Sequence, residues 1–183
     1  LAESSARPQS YFQGLNFLLN EQQDKAIEAF IEVVKVDPQT VELHFALGGL
    51  FRRRGEVERA IRMHQNLVER PDLAAEQKLT ALYELAQDYF KAGLLDRAEE
   101  LFLKLEGTSY AEQALRFLLE IYEQEKDWQK ALEASQKLDS VAGHSSAKEI
   151  AHFYCEMAQA EMAAPACKAA WTVRSAQTLS EDL

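Results

Sequence analysis

Residues that break helices are scarce in this sequence, with four prolines and seven glycines among 183 residues. A loop-rich or all-β chain needs more of both at its turns. Cysteine is rarer still. Cys155 and Cys167 cannot build a framework of disulfides, and so few thiols suit a reducing compartment. No apolar run approaches the roughly 18 residues that a membrane-spanning helix needs. Positive charge is in deficit too, with 20 Lys and Arg against 30 Asp and Glu for a net charge of −10. Such a surface repels phosphate backbones and anionic lipid, so nucleic acid is a poor partner. The nucleotide-binding and hydrolase signatures GxGxxG, GxxxxGK[ST] and GxSxG are absent.

What is abundant is Leu, Ala, Glu, Gln and Lys, the residues that lose least on entering a helix. Hydrophobic residues make up 47% of the chain, enough to bury a substantial core. The expectation is an all-α protein. Leu rather than Met at position 1 points to a segment from inside a longer chain, so a missing signal or anchor says nothing of the full-length protein.

One pattern recurs along the chain. A small residue is followed four positions later by a large one at Ala26 and Phe30, and again at Ala98 and Phe102. Ala60 in "VERAIRMH" and Ala131 in "WQKALEAS" continue the series at spacings of 34, 38 and 33 residues. Upstream of each lies a helix with a matching set. Leu47, Gly48 and Phe51 recur as Leu85, Ala86 and Tyr89; Gly14 and Phe17 precede them, and Leu118, Leu119 and Tyr122 follow. Small side chains let paired helices approach closely, while the neighbouring aromatics fill the flanking gaps. Gly55 and Gly93 suit the left-handed residue that ends a helix. Asp24, Glu58, Asp96 and Asp127 suit the N-terminal ends of the second helices.

A period near 34 residues is that of tetratricopeptide repeats. The expected fold is an all-α, right-handed superhelical solenoid of helical hairpins; a heptad bundle has no reason to repeat at this interval. Residues 1–9 read as an N-terminal tail and 10–164 as the repeat domain, with repeats at about 7–40, 41–74, 79–111, 112–144 and from 151 onward. Residues 165–183 read as an atypical C-terminal helix or a truncated last repeat.

Candidates for chemistry are few. His64 stands where Phe30 and Phe102 stand in sister repeats, which makes it a packing histidine. His44 reads the same way, and His144 as solvated. His152, Cys155 and Glu156 share a helical face, but zinc needs further ligands and a thiol nucleophile needs an oriented base. A partly buried groove cysteine is the ordinary reading of Cys155. No catalytic or metal site is assigned, and no cofactor.

First helices line the concave face of a tetratricopeptide stack. The inward positions are Phe45, Gly49, Arg52 and Arg53 in the second repeat and Tyr83, Glu84, Gln87, Phe90 and Lys91 in the third. The fourth adds Arg116, Phe117, Glu120 and Glu123. Aromatic plates beside mixed charge suit a protein or peptide partner. The Lys and Asn pattern that clamps a chaperone's C-terminal carboxylate is missing.

The segments "GLNFLLNEQQDKAIEAF", "GEVERAIRMHQ", "DYFKAGLLDRAEELF" and "EIAHFYCEMA" strongly resemble the lipopolysaccharide assembly protein B family of Gram-negative bacteria, from about Tyr11 to Met162. That resemblance implies a non-catalytic adaptor on the cytoplasmic face of the inner membrane, with an N-terminal anchor and a C-terminal rubredoxin-like metal module. The family promotes degradation of the deacetylase that commits to lipid A synthesis, together with a membrane-bound AAA+ protease. This sequence departs from it at both ends: it has no anchor, and its two cysteines cannot supply four thiolates. The fragment is then expected to be soluble. The alternative is a generic tetratricopeptide scaffold for another protein or peptide, or for self-association.

Overall fold

The computed structural model describes residues 9–20, 22–36, 40–143 and 147–163. The described residues form nine helices and no strand: α1 (Gln9–Leu19), α2 (Gln23–Val36), α3 (Val41–Arg53), α4 (Val57–Glu69), α5 (Ala75–Lys91), α6 (Leu95–Leu103), α7 (Ala111–Glu125), α8 (Trp128–Ala142) and α9 (Ala147–Ala163). The chain divides into two compact units between Tyr110 and Ala111. The first holds the hairpins α1–α2, α3–α4 and α5–α6; the second holds the hairpin α7–α8, with α9 packed on α8. Helix α5 begins at Ala75, ahead of the expected repeat start at 79, and α9 at Ala147, ahead of 151. Gln9, expected in the tail at 1–9, already belongs to α1; the rest of that tail and the expected C-terminal segment 165–183 lie outside the described residues.

The anchor alanines explain the hairpins. Ala26, Ala60, Ala98 and Ala131 are all fully buried, as are Phe30, His64, Phe102 and Ser135 four residues on. A methyl group at Gly14 would overlap the ring of Phe30, and one at Gly48 would overlap the imidazole of His64. In these two hairpins only glycine admits the large side chain of the second helix. Leu47, Leu85 and Leu118 complete the same layer from the first helices; each fully buried side chain of this size contributes on the order of 1.5–3 kcal/mol.

The turns repeat as closely as the core. In three hairpins the backbone closes a Schellman motif. Glu56 donates to the Phe51 carbonyl, Leu94 to Tyr89 and Asp127 to Tyr122, each at 2.9 Å. The residue before each donor is left-handed: Gly55 (φ 81°), Gly93 (φ 73°) and Lys126 (φ 59°). In the first hairpin Gln22 donates to Phe17 at 2.8 Å. Asp127 also caps α8, its side chain accepting from the Lys130 amide.

Every hairpin carries a cation over an aromatic ring as well. Lys25 lies 5.8 Å from the Phe17 centroid, Arg59 4.0 Å from Phe51, Arg97 5.6 Å from Tyr89 and Lys130 5.1 Å from Tyr122. The cation directly precedes the anchor alanine in each case, so the contact pins the second helix against the end of the first.

Candidate functional site

Among the expected inward positions of the first unit, Arg52, on the last turn of α3, is tied into a polar cluster. Its Nη1 donates to Asp88 Oδ1 at 2.7 Å and to the Glu84 carbonyl at 3.1 Å; its Nη2 donates to Glu84 Oε2 at 2.6 Å. Both acceptors belong to α5, so the guanidinium ties the second hairpin to the third. Asp88 is fully buried. Its other oxygen accepts from His64 Nδ1 of α4 at 2.5 Å, and Nε2 of that ring has no hydrogen-bond partner among the described residues. Burial alone would lower the Arg52 pKa. The hydrogen bonds and charges of Glu84 and Asp88 outweigh it, holding the guanidinium above the ordinary arginine value.

Arg52 is therefore a strut between hairpins rather than the open cation that its groove position suggests. Arg53 next to it is exposed, as is Lys91 at the equivalent position of α5. Phe45 is half-buried, 6.1 Å from the His64 ring and packed on the cluster of Val41, Leu67, Leu73 and Ala81. Tyr83 stacks on Tyr110 at 4.7 Å and meets Phe102 edge-on at 6.3 Å; burial raises its pKa. Gln87 and Phe90 are half-buried. In the second unit Arg116 is exposed and pairs with Glu112 at 2.8 Å. Phe117 is half-buried, and Glu120 and Glu123 are exposed.

Asp88 and its bond to His64 escaped the sequence reading. The signal was present: Asp88 occupies the position filled by Leu50 in α3 and Ile121 in α7, both buried. A carboxylate in a core layer requires partners.

The remaining candidates separate. His44 Nδ1 donates to the carbonyl of Thr40, the N-cap of its own helix, at 2.9 Å. His144 lies outside the described residues. Cys155 is exposed, not the partly buried cysteine expected, because α9 turns inward through Phe153 and leaves positions 154 and 155 outside. His152 instead meets Trp128 edge-on at 6.0 Å. Among the described residues no three His, Cys, Asp or Glu side chains gather as a metal site. A four-thiolate centre does not fit the two cysteines of this segment.

Tandem hairpins with these anchors, turns and spacings have a family counterpart. The tetratricopeptide repeat profile matches residues 13–77 and 83–143. The chain belongs to the tetratricopeptide repeat family. Its solved relatives share the fold at low identity. MamA has a TM-score of 0.68 at 22% identity, with 81% of each chain covered. The kinesin light chain tetratricopeptide-like repeats of Podosopora anserina score 0.64 at 18%, with 95% of each chain covered.

Curated relatives lie much nearer in sequence. Lipopolysaccharide assembly protein B of Escherichia coli (strain K12) is 47% identical over 162 residues, 88% of this chain and 42% of the relative. The Haemophilus influenzae protein of the same name is 39% identical over 165 residues, 85% of this chain and 42% of the relative. The chain thus spans about two-fifths of the length of the relatives it matches. Family and relatives make this tetratricopeptide protein an adaptor or scaffold that engages other proteins, not an enzyme. No helix among its described residues is long and apolar enough to cross a membrane.

Proposed function

We propose that this chain is the partner-binding repeat segment of a lipopolysaccharide assembly protein B-type adaptor, acting at the cytoplasmic face of the inner membrane. In this reading it brings the deacetylase that commits to lipid A synthesis to a membrane-bound AAA+ protease, and so lowers lipopolysaccharide output. The observation that carries the reading is the 47% identity to lipopolysaccharide assembly protein B over 88% of the chain. The surface supports it too. Two exposed cations, Arg53 and Lys91, stand at equivalent positions of successive first helices, which also carry the half-buried rings of Phe45 and Phe90, a mixture suited to protein recognition.

Pull-down of purified deacetylase and protease by the chain tests this. Arg53→Glu with Lys91→Glu is expected to weaken capture of at least one partner by about tenfold, roughly 1.4 kcal/mol, with helix content unchanged. Arg52→Glu is unsuitable, since it would break the strut to α5. Capture of neither protein by the parent chain counts against the assignment. Equal capture by the double variant moves the interface off this face.

A further inference from the structure

On the side of the first unit formed by its second helices, α2 and α4 leave a trough between them floored by α3. The cavity measures about 430 Å³, within the range of small-molecule sites. Leu47 and Phe51 form the floor, Ile31 and Met63 the walls, and Arg59 and Arg62 the rim. The arrangement is apolar below and cationic above.

The two arginines differ in how far they are committed. Arg59 lies flat over the Phe51 ring at 4.0 Å and pairs with Glu56 at 2.6 Å. Arg62 is exposed, and its Nε donates to the Glu58 carbonyl at 3.3 Å. Its two Nη groups meet no carboxylate among the described residues. Position 62 is also where this hairpin breaks step with its sisters. Two residues after the anchor alanine, the other hairpins carry Glu28, Glu100 and Glu133, all exposed. The acidic position turns basic only in the α3–α4 hairpin, although the chain as a whole carries net negative charge.

We propose that the α2–α4 trough binds a small amphiphilic carboxylate, with its apolar tail on Leu47, Phe51 and Met63 and its head on the Arg62 guanidinium. Charge complementarity selects the head, because a planar guanidinium receives a carboxylate through two parallel N–H donors. The apolar floor selects the tail. This site lies apart from the inward-facing residues of the first helices and does not depend on which protein the adaptor engages.

Isothermal titration of the 183-residue chain with dodecanoate, below its aggregation threshold, tests the proposal. The expected result is saturable one-site binding by the parent. Arg62→Glu, which restores the residue type of the sister hairpins, weakens it at least tenfold; Arg62→Ala, which adds no charge, also weakens it. Arg62→Lys, which keeps the charge but loses the two-donor fork, weakens it less than Arg62→Glu does, and dodecyltrimethylammonium does not saturate. Circular dichroism and the melting midpoint confirm that each variant is folded. Three outcomes overturn the proposal: no saturable dodecanoate binding by the parent, undiminished binding by both Arg62→Glu and Arg62→Ala, or equal binding of the cationic amphiphile. Binding of a peptide that presents adjacent Leu and Glu side chains, where dodecanoate fails, also overturns it and makes the trough a protein-docking site.

Discussion

Lys126 holds a backbone conformation that a lysine reaches only at a cost. Its φ of 59° matches the left-handed glycines that close the two preceding hairpins, and an L side chain there is crowded against the following carbonyl. Helix α8 still starts on time because Asp127 donates to the Tyr122 carbonyl and caps the helix that follows. Lys126→Gly should therefore stabilise the chain by about 0.5–1 kcal/mol, the strain relieved less the extra freedom glycine gives the unfolded chain. Urea unfolding at constant m-value would register the gain as a higher midpoint. A lower midpoint would mean that the lysine side chain contributes a contact larger than the strain. At this scale the sequence was informative wherever the backbone demanded one residue type. Gly55 and Gly93 were readable as helix ends; Lys126 was not, because nothing in a lysine announces a positive φ. The cation before each anchor alanine was equally visible, but its meaning needed the distance to an aromatic ring eight positions upstream.

Helices in this molecule are held to one another by two kinds of layer, and only one could be read in advance. The apolar layer follows from period: Ala26, Ala60, Ala98 and Ala131 are buried because their spacing puts them on the faces between paired helices. The polar layer joins α3, α4 and α5 through Arg52, Asp88 and His64, residues 24 and 36 positions apart in the chain. Sequence spacing assigned His64 to the core, where the structure buries it fully, and Arg52 to the concave face without its ties to α5. What it could not supply was Asp88, the carboxylate that draws the two together. Removing one member of such a group is costlier than removing all of it. Asp88→Ala should lower stability by about 3–5 kcal/mol, leaving Arg52 held by Glu84 alone and a polar imidazole without its acceptor. The triple variant Arg52→Leu, His64→Phe, Asp88→Leu returns position 64 to the chemistry of Phe30 and Phe102 and position 88 to that of Leu50, removes the guanidinium that would be left unpaired, and should recover most of the loss. Thermal and chemical denaturation of the two proteins decide it. A triple variant no more stable than Asp88→Ala would show that the layer sustains the hairpin contact in a way apolar packing cannot replace.

For the molecule as a whole, the consequence of a repeat fold is that each helix depends on its neighbours in sequence, so the ends are the weak places. Helix α9 is the clearest case in the second unit. Among its described residues one side chain is fully buried, Phe153, which stacks on Trp128 of α8 at 6.1 Å and 21°. Ala151, Tyr154, Cys155 and Ala158 on the same helix are exposed. Attachment of α9 thus centres on Phe153, with His152 meeting the same Trp128 ring edge-on, whereas α7 and α8 bury Leu115, Leu118, Ile121, Leu132 and Leu138. Phe153→Ala removes about 3–5 kcal/mol of packing, more than a peripheral helix can lose and stay docked. Hydrogen exchange should then show protection falling across residues 147–163 while α7 and α8 keep theirs. Loss of protection throughout α7–α9 would mean that the second unit folds as one cooperative body with no separable end. Unchanged protection in α9 would mean that contacts other than Phe153 hold it.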